Sequence, residues 1–247
     1  MKSRLAFPLA LLLAACGGNG GGNSSEPAAP VAAVKPPAGQ DWTQTVSVTP
    51  EGGFVMGNPN APIKLVEYGA RTCPTCGAFS KEAAEPLARD YVATGKVSFE
   101  FRDYLVHGSQ DLAAALLGQC GGPGAFFPIL DQMYASQEQW LNKLFAAAQG
   151  DPSFEGRLQA QTPAQQMATL ADTMGLVDFV KQRGVPEPRA RACLADTTKM
   201  DQLAKATQEA TQSGRVGGTP TFYLNGERIE NAVSWPQVRD ALERAGA

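Results

Sequence analysis

The apolar positions along the chain change period twice, and each change marks an architectural boundary. Thr45-Val46-Ser47-Val48 alternates and predicts a short edge strand. Glu51-Gly52-Gly53-Phe54 then reads as a turn, and Gly57-Asn58-Pro59-Asn60-Ala61-Pro62 as a loop. Ile63 to Tyr68 is an apolar run of strand character. Ala78 to Thr94 follows with helical spacing, interrupted at Pro86, where the missing N–H predicts a kink. Val97-Ser98-Phe99-Glu100-Phe101-Arg102 alternates again, with Val97, Phe99 and Phe101 on one face. Strand, helix and strand in this order make a βαβ unit with parallel strands. From Ser109 to Asp196 the period is helical throughout. Leu112, Ala113, Leu116 and Leu117 form one stripe, Phe126, Phe127, Leu130 and Met133 a second, and Trp140, Leu141, Leu144 and Phe145 a third. The segments Pro163–Met174, Val177–Arg183 and Pro188–Leu194 predict further short helices. Alternation returns after a helix over Thr198–Ser213. Thr221–Leu224 and Glu227–Ile229 flank Asn225-Gly226, a strong hairpin signal, and Trp235–Arg244 closes as a helix behind Ser234 and Pro236. The pattern is α/β, with an all-α block set between strands and no internal repeat.

The first forty residues stand outside this pattern. Lys2 and Arg4 precede an apolar core, Leu5 to Leu13, too short to span a bilayer. It ends in Leu13-Ala14-Ala15-Cys16, which resembles the lipobox of bacterial lipoproteins. That resemblance implies a signal peptide over residues 1–15 and lipidation of Cys16; ordinary secretion with cleavage near Ala15 is the alternative. Gly17, where Gram-negative sorting patterns use Asp for the inner membrane, implies the outer membrane. Residues 17–40 are rich in Gly, Asn, Ser, Pro and Ala, and predict a disordered tether with a reach of about 25–30 Å. The net charge of −3 excludes the basic face that nucleic-acid binding needs.

Export leaves four cysteines, Cys73, Cys76, Cys120 and Cys193, for an oxidising compartment, and three pairings of them are possible. Cys73-Pro74-Thr75-Cys76 sits where a strand hands over to a helix. Free N–H groups and the helix dipole favour a thiolate there. By itself the pair fits either a redox disulfide or a soft metal such as copper(I).

Glu67 six residues before Cys73, Cys-Pro-Thr-Cys at a helix start, and Gly218-Thr219-Pro220 before the last hairpin resemble the thioredoxin-fold oxidoreductases. The inserted helical block, with Phe101-Arg102-Asp103-Tyr104, Gly124-Ala125-Phe126-Phe127 and Ala192-Cys193-Leu194, is similar to the DsbA-like branch. The resemblance implies a thioredoxin fold over 41–106 and 197–247 with a helical insertion at 107–196. It implies Cys73 as the exposed nucleophile, Cys76 as the resolving thiol, and Pro220 as a cis-proline exposing the Thr219 backbone to a substrate strand. Pro74 and Thr75 tune the pair and meet the substrate. Thr75 stands where the most oxidising relatives have histidine. Glu67 is read as a buried proton relay for Cys76, against a surface glutamate. Arg71 either turns inward to assist the thiolate or is solvated. Cys120 and Cys193 form a structural disulfide, remain two buried thiols, or have a second redox role. His107, the single histidine, has a hinge or packing role more readily than a catalytic one.

The function so implied is thiol–disulfide exchange with cysteine-bearing envelope proteins, as an oxidase. It needs no metal or cofactor beyond the Cys73–Cys76 disulfide. It needs a membrane redox partner of unknown identity, and the lipid anchor is the only membrane contact. Competing readings are a reductase or isomerase, a copper-binding lipoprotein and a non-catalytic scaffold.

Overall fold

The computed structural model describes residues 29–247; the expected signal peptide, Cys16 and the first part of the expected tether lie outside the described residues. One mixed sheet of six strands carries the fold: β1 (Val46–Val48), β2 (Phe54–Gly57), β3 (Ile63–Gly69), β4 (Val97–Asp103), β5 (Thr221–Leu224) and β6 (Glu227–Arg228), in the order β1-β2-β4-β3-β5-β6. β3 and β4 run parallel, with Glu67 opposite Phe101, and every other pairing is antiparallel. β3 is therefore central, flanked by β4 and β5. β2 was read as turn and loop; Phe54 and Met56 are instead buried in it against β4. Glycine-rich turns at both ends of four residues hide its alternation from a sequence reading.

Between β3 and β4 the chain forms α1 (Pro74–Pro86), a π-helical turn over Leu87–Tyr91 and a 3-10 turn over Val92–Thr94. Pro86 cannot donate to the carbonyl one turn back, and the winding changes directly after it. Gly95 follows with φ 72°. A Cβ there would meet the Val34 carbonyl at 2.2 Å, so the position excludes side chains for two independent reasons.

The block after β4 contains α2 (Ser109–Cys120), α3 (Pro123–Ala135), α4 (Gln137–Gly150), α5 (Phe154–Gln159), α6 (Pro163–Met174), α7 (Leu176–Lys181) and α8 (Glu187–Leu194); α9 (Thr197–Gln212) leads back to the sheet and α10 (Trp235–Arg244) covers it. Two main cores result. One joins sheet, α1 and α10 through Leu65, Phe79, Leu87, Phe99, Phe222 and Val238; the other fills the helical block with Leu117, Leu144, Met167, Leu170 and Val180. α3 serves both. Phe126, Phe127 and Tyr134 enter the sheet core, where Phe126 stacks on Phe54 at 3.8 Å, while Ile129 and Met133 face the block. Phe145, expected in the third apolar stripe, is half exposed.

Residues 29–40, expected to be disordered, run along the domain. Val31 N–H donates to Gly246 (2.8 Å), Val34 N–H to Thr94 (2.9 Å), and the Trp42 indole to the Val34 carbonyl (2.7 Å). Backbone hydrogen bonds replace the apolar cluster whose absence suggested disorder. Among the described residues no helix is long and apolar enough to cross a membrane.

Candidate active site

Cys73 is the N-cap of α1, with Pro74 at the first helical position, where a missing N–H matters least. Its sulfur accepts from the Cys76 backbone N–H at 3.4 Å and lies 3.3 Å from the Thr219 carbonyl oxygen. Both cysteines are free thiols. Cys76 is fully buried one turn into the helix. Cys73, expected to be the exposed sulfur, keeps only 7% of its surface; Pro74 and Thr75 beside it are exposed.

The two thiols are driven apart. Cys73 is lowered to about 5, chiefly by the hydrogen bond from the Cys76 side chain. Thr219 and the Cys76 and Thr75 backbones add to this, against partial burial. Burial raises the Cys76 thiol well above its ordinary range, and its hydrogen bond to Cys73 and the charges of Glu67 and Cys73 act the same way. Glu67 sits in the middle of β3 at 3% exposure, and its Oε1 has no hydrogen-bond partner. Burial pushes its carboxyl well up, with smaller contributions from Cys73 and Asp131. The reading of Glu67 as a surface residue is excluded by this position.

The Thr219–Pro220 peptide is cis and Pro220 is buried; the Thr219 carbonyl before it lies against Cys73 Sγ. The Thr219 carbonyl, expected to be free for a substrate, is engaged by the Cys73 thiol in this reduced state.

Arg71 turns inward, as one of its two readings had it, but not toward the thiolate. Its guanidinium is buried on Asp103, with Nε–Oδ1 at 2.7 Å and Nη2–Oδ2 at 3.1 Å, between the rings of Phe101 and Phe126. A bidentate carboxylate holds it away from the sulfur, since two fixed hydrogen bonds outweigh a distant thiolate. Gln119 donates to the same carboxylate at 2.8 Å.

The helical block grips the approach to Cys73, which no motif indicated. Tyr134 (α3) donates to the Ala70 carbonyl at 3.1 Å. Gln137 (α4) donates to the carbonyls of Arg71 and Cys73, both at 2.8 Å. Asp111 (α2) accepts the Thr72 N–H at 2.8 Å and the His107 N–H at 2.7 Å. His107 Nδ1 is 2.6 Å from the Thr72 hydroxyl. Tyr134, Gln137 and Asp111 reach backbone groups of residues 70–73 that are far away in sequence, and only the acidic first turn of α2 carries a local signal, as an N-terminal charge. Cys120 and Cys193 are bonded at 2.04 Å, tying α2 to α8. Among the described residues no three His, Cys, Asp or Glu side chains converge on a common point.

The family model described as "Thioredoxin" matches residues 49–244. The chain is 25% identical over 196 residues to a Rickettsia bellii protein with a provisional protein-disulfide oxidoreductase name. The match covers 79% of this chain and 65% of that relative's length. It is 21% identical to Disulfide bond formation protein D of Bacillus subtilis, covering 78% and 77% of the two chains. Among solved structures, a protein-disulfide isomerase from Novosphingobium aromaticivorans matches with a TM-score of 0.72 and 29% identity, over 79% of this chain and 98% of that one. Alpha-DsbA1 of Wolbachia pipientis shares the fold, with a TM-score of 0.63 and 18% identity, over 81% and 93%.

Proposed function

We propose, since this chain belongs to the thioredoxin family in its DsbA-like branch, that it exchanges its Cys73–Cys76 disulfide with cysteine-bearing envelope proteins and acts as an oxidase. The carrying observation is the thiol asymmetry: Cys73 lowered to about 5 at a helix start, beside a Cys76 pushed the other way. A weakly basic thiolate leaves readily and stabilises the reduced state, so the couple is oxidising.

In the forward reaction a substrate thiolate attacks Cys73 Sγ, the Cys73–Cys76 bond breaks, and its electron pair leaves on Cys76. Glu67 supplies the proton that neutralises this sulfur, and burial keeps that proton available. A second substrate thiolate then attacks its partner in the mixed disulfide and releases Cys73 as a thiolate. The substrate loses two electrons, and the enzyme pair gains them. Pro220 and Thr219 form one wall of the site, and exposed Pro74 and Thr75 the other, so these four meet the substrate segment. Reoxidation falls to a membrane redox partner, and no metal or other cofactor enters. The lipobox-like Leu13–Cys16 supports a membrane-anchored, periplasm-facing location, with Gly17 favouring the outer membrane.

The test is the Cys73–Cys76 reduction potential, measured against glutathione, together with oxidation of a reduced unfolded protein. A potential well above thioredoxin's, about −270 mV, is expected. A value at or below it would refute the oxidase assignment. Thr75, a hydroxyl beside the thiolate, favours a reductase or isomerase as the second reading, which predicts disulfide reshuffling in place of net oxidation.

A further inference from the structure

The backbone of residues 70–73 is held by groups from other elements. Cys73 N–H closes a turn on the Ala70 carbonyl at 3.0 Å, and Tyr134 donates to that same carbonyl. Asp111 takes the Thr72 N–H. Gln137 does more than either. Its Nε2 donates to the Arg71 carbonyl and to the Cys73 carbonyl, both at 2.8 Å, so both amide hydrogens are spent on carbonyls two residues apart. The Cys73 carbonyl also accepts the Gly77 N–H at 3.1 Å, the first bond of α1. Gln137 is buried, and among the described residues it is the one side chain that donates to the Cys73 backbone. The charged side chains around this loop are engaged elsewhere, Arg71 on Asp103 and Asp111 on two N–H groups.

A glycine records the same fit from the side of α1. Gly77 follows Cys76 among the buried residues of that helix, without a positive φ that would call for glycine. Glycine is the poorest helix former after proline, so its place there needs another cause. A Cβ on Gly77 would fall 2.5 Å from Gln137 Oε1 and 3.1 Å from its Cδ. A flexible amide could swing away from that methyl group, but only by giving up its two hydrogen bonds.

We propose that Gln137 is a positioning residue for Cys73, fixing the peptide units before Thr72 and after Cys73 so that the sulfur faces the Cys76 N–H, with Gly77 as the space that admits its amide. This deepens the thiol–disulfide exchange reading and rests on it. Cys73 Sγ lies 3.4 Å from that N–H nitrogen and 3.3 Å from the Thr219 carbonyl oxygen, and a rotation of the Cys73 peptide moves it off both. Because α4 belongs to the helical block, the seating of that block on the sheet sets the acidity of the nucleophile.

The test is the pH midpoint of Cys73 in the reduced full chain, read from alkylation rate, with its equilibrium against glutathione beside it. Gln137→Met keeps the length of the side chain and cannot donate. It is expected to move the Cys73 midpoint up by about one unit, the tenfold that one lost hydrogen bond supports. The glutathione equilibrium should shift about tenfold toward the oxidised protein, since the thiolate is then less stabilised. Gly77→Ala, which leaves every donor in the chain, is expected to do the same. In a Gln137→Ala background the added methyl meets no amide. Gly77→Ala there leaves the Cys73 midpoint where Gln137→Ala alone puts it, and raises the urea midpoint as alanine in a helix should. An unchanged Cys73 midpoint in Gln137→Met overturns the positioning role, even where stability falls, because packing alone would explain that. Shifts from Gly77→Ala and Gln137→Ala that simply add overturn it as well. The exchange reading fails by a separate measurement, if the wild-type protein exchanges no disulfide with a reduced cysteine peptide.

Discussion

The backbone nitrogen of Cys76 lies 3.4 Å from the sulfur of Cys73, so the helix that buries one thiol solvates the other as an anion. With the Cys76 side-chain hydrogen bond as the chief cause and this backbone contact adding to it, the Cys73 midpoint is expected at about pH 5, read from thiolate absorbance or alkylation rate. Cys76→Ala removes the largest stabilising contact and moves that midpoint upward. The same shift acts on stability. An acid depressed on folding contributes fully above its unfolded value, about 8.5, and that contribution disappears as pH falls through about 5. The stability difference between reduced wild type and Cys73→Ala, from urea unfolding, should shrink across that window. A difference independent of pH would contradict the thiolate.

Glu67 acts with the opposite sign. Its folded pKa is raised, so its contribution is fully present below the ordinary carboxyl value of about 4.3 and declines as pH rises toward the folded value. Glu67→Gln removes this titration, so its stability relative to wild type should rise as pH rises from the ordinary carboxyl range. It should also slow the step in which Cys76 leaves or returns. Stopped-flow reduction and urea unfolding check the two effects, and a variant that is both faster and less stable would exclude the relay.

The buried Arg71–Asp103 pair predicts a structural failure. Asp103→Ala strands a guanidinium with 0% side-chain exposure and should cost about 3–5 kcal/mol, measured by chemical denaturation. Gly118→Ala tests the same site from α2, because its Cβ would fall 2.2 Å from Arg71 Nη1. Overpacking of about 1–3 kcal/mol is expected there, since the anchored guanidinium cannot swing aside.

The Cys120–Cys193 bond closes a separation of 73 residues, which the chain-entropy estimate values at about 4 kcal/mol at most. Replacing both by alanine should lower the denaturation midpoint while leaving the Cys73–Cys76 potential where it was. A shifted potential would mean that the second disulfide communicates with the first.

The parts of this protein that could be read in advance are those whose signals are local. The β3–α1–β4 unit declares itself by alternation giving way to helical spacing, whereas Cys73, Cys76, Glu67 and Pro220 are singled out by resemblance to a known family and not by any local period. β2 was missed because four residues between glycine-rich turns carry too little period. Asp111, Tyr134 and Gln137 were missed for another reason. Each bonds backbone between Ala70 and Cys73, and a carbonyl has no identity in a sequence. Arg71 shows both limits: its inward turn was one of two readings, but its Asp103 partner lies at the end of β4, thirty-two residues on.

The path of residues 29–34 bears on traffic at the envelope. Val34 bonds Thr94 just before β4 begins, and Ile63 at the start of β3 bonds Lys96, whereas Cys73 follows the far end of β3. Seven residues of strand, about 23 Å, thus separate the point where the N-terminal segment leaves from the reactive sulfur. If Cys16 is lipidated, the thirteen steps from Cys16 to Ala29 extend at most about 45 Å. The attachment would then lie at the end of the sheet opposite the cysteines. Clients arriving through the aqueous space would meet the reactive face directly. A regenerating partner in the same bilayer would need either a cysteine-bearing arm that reaches past the whole domain or an enzyme that tips over on its leash.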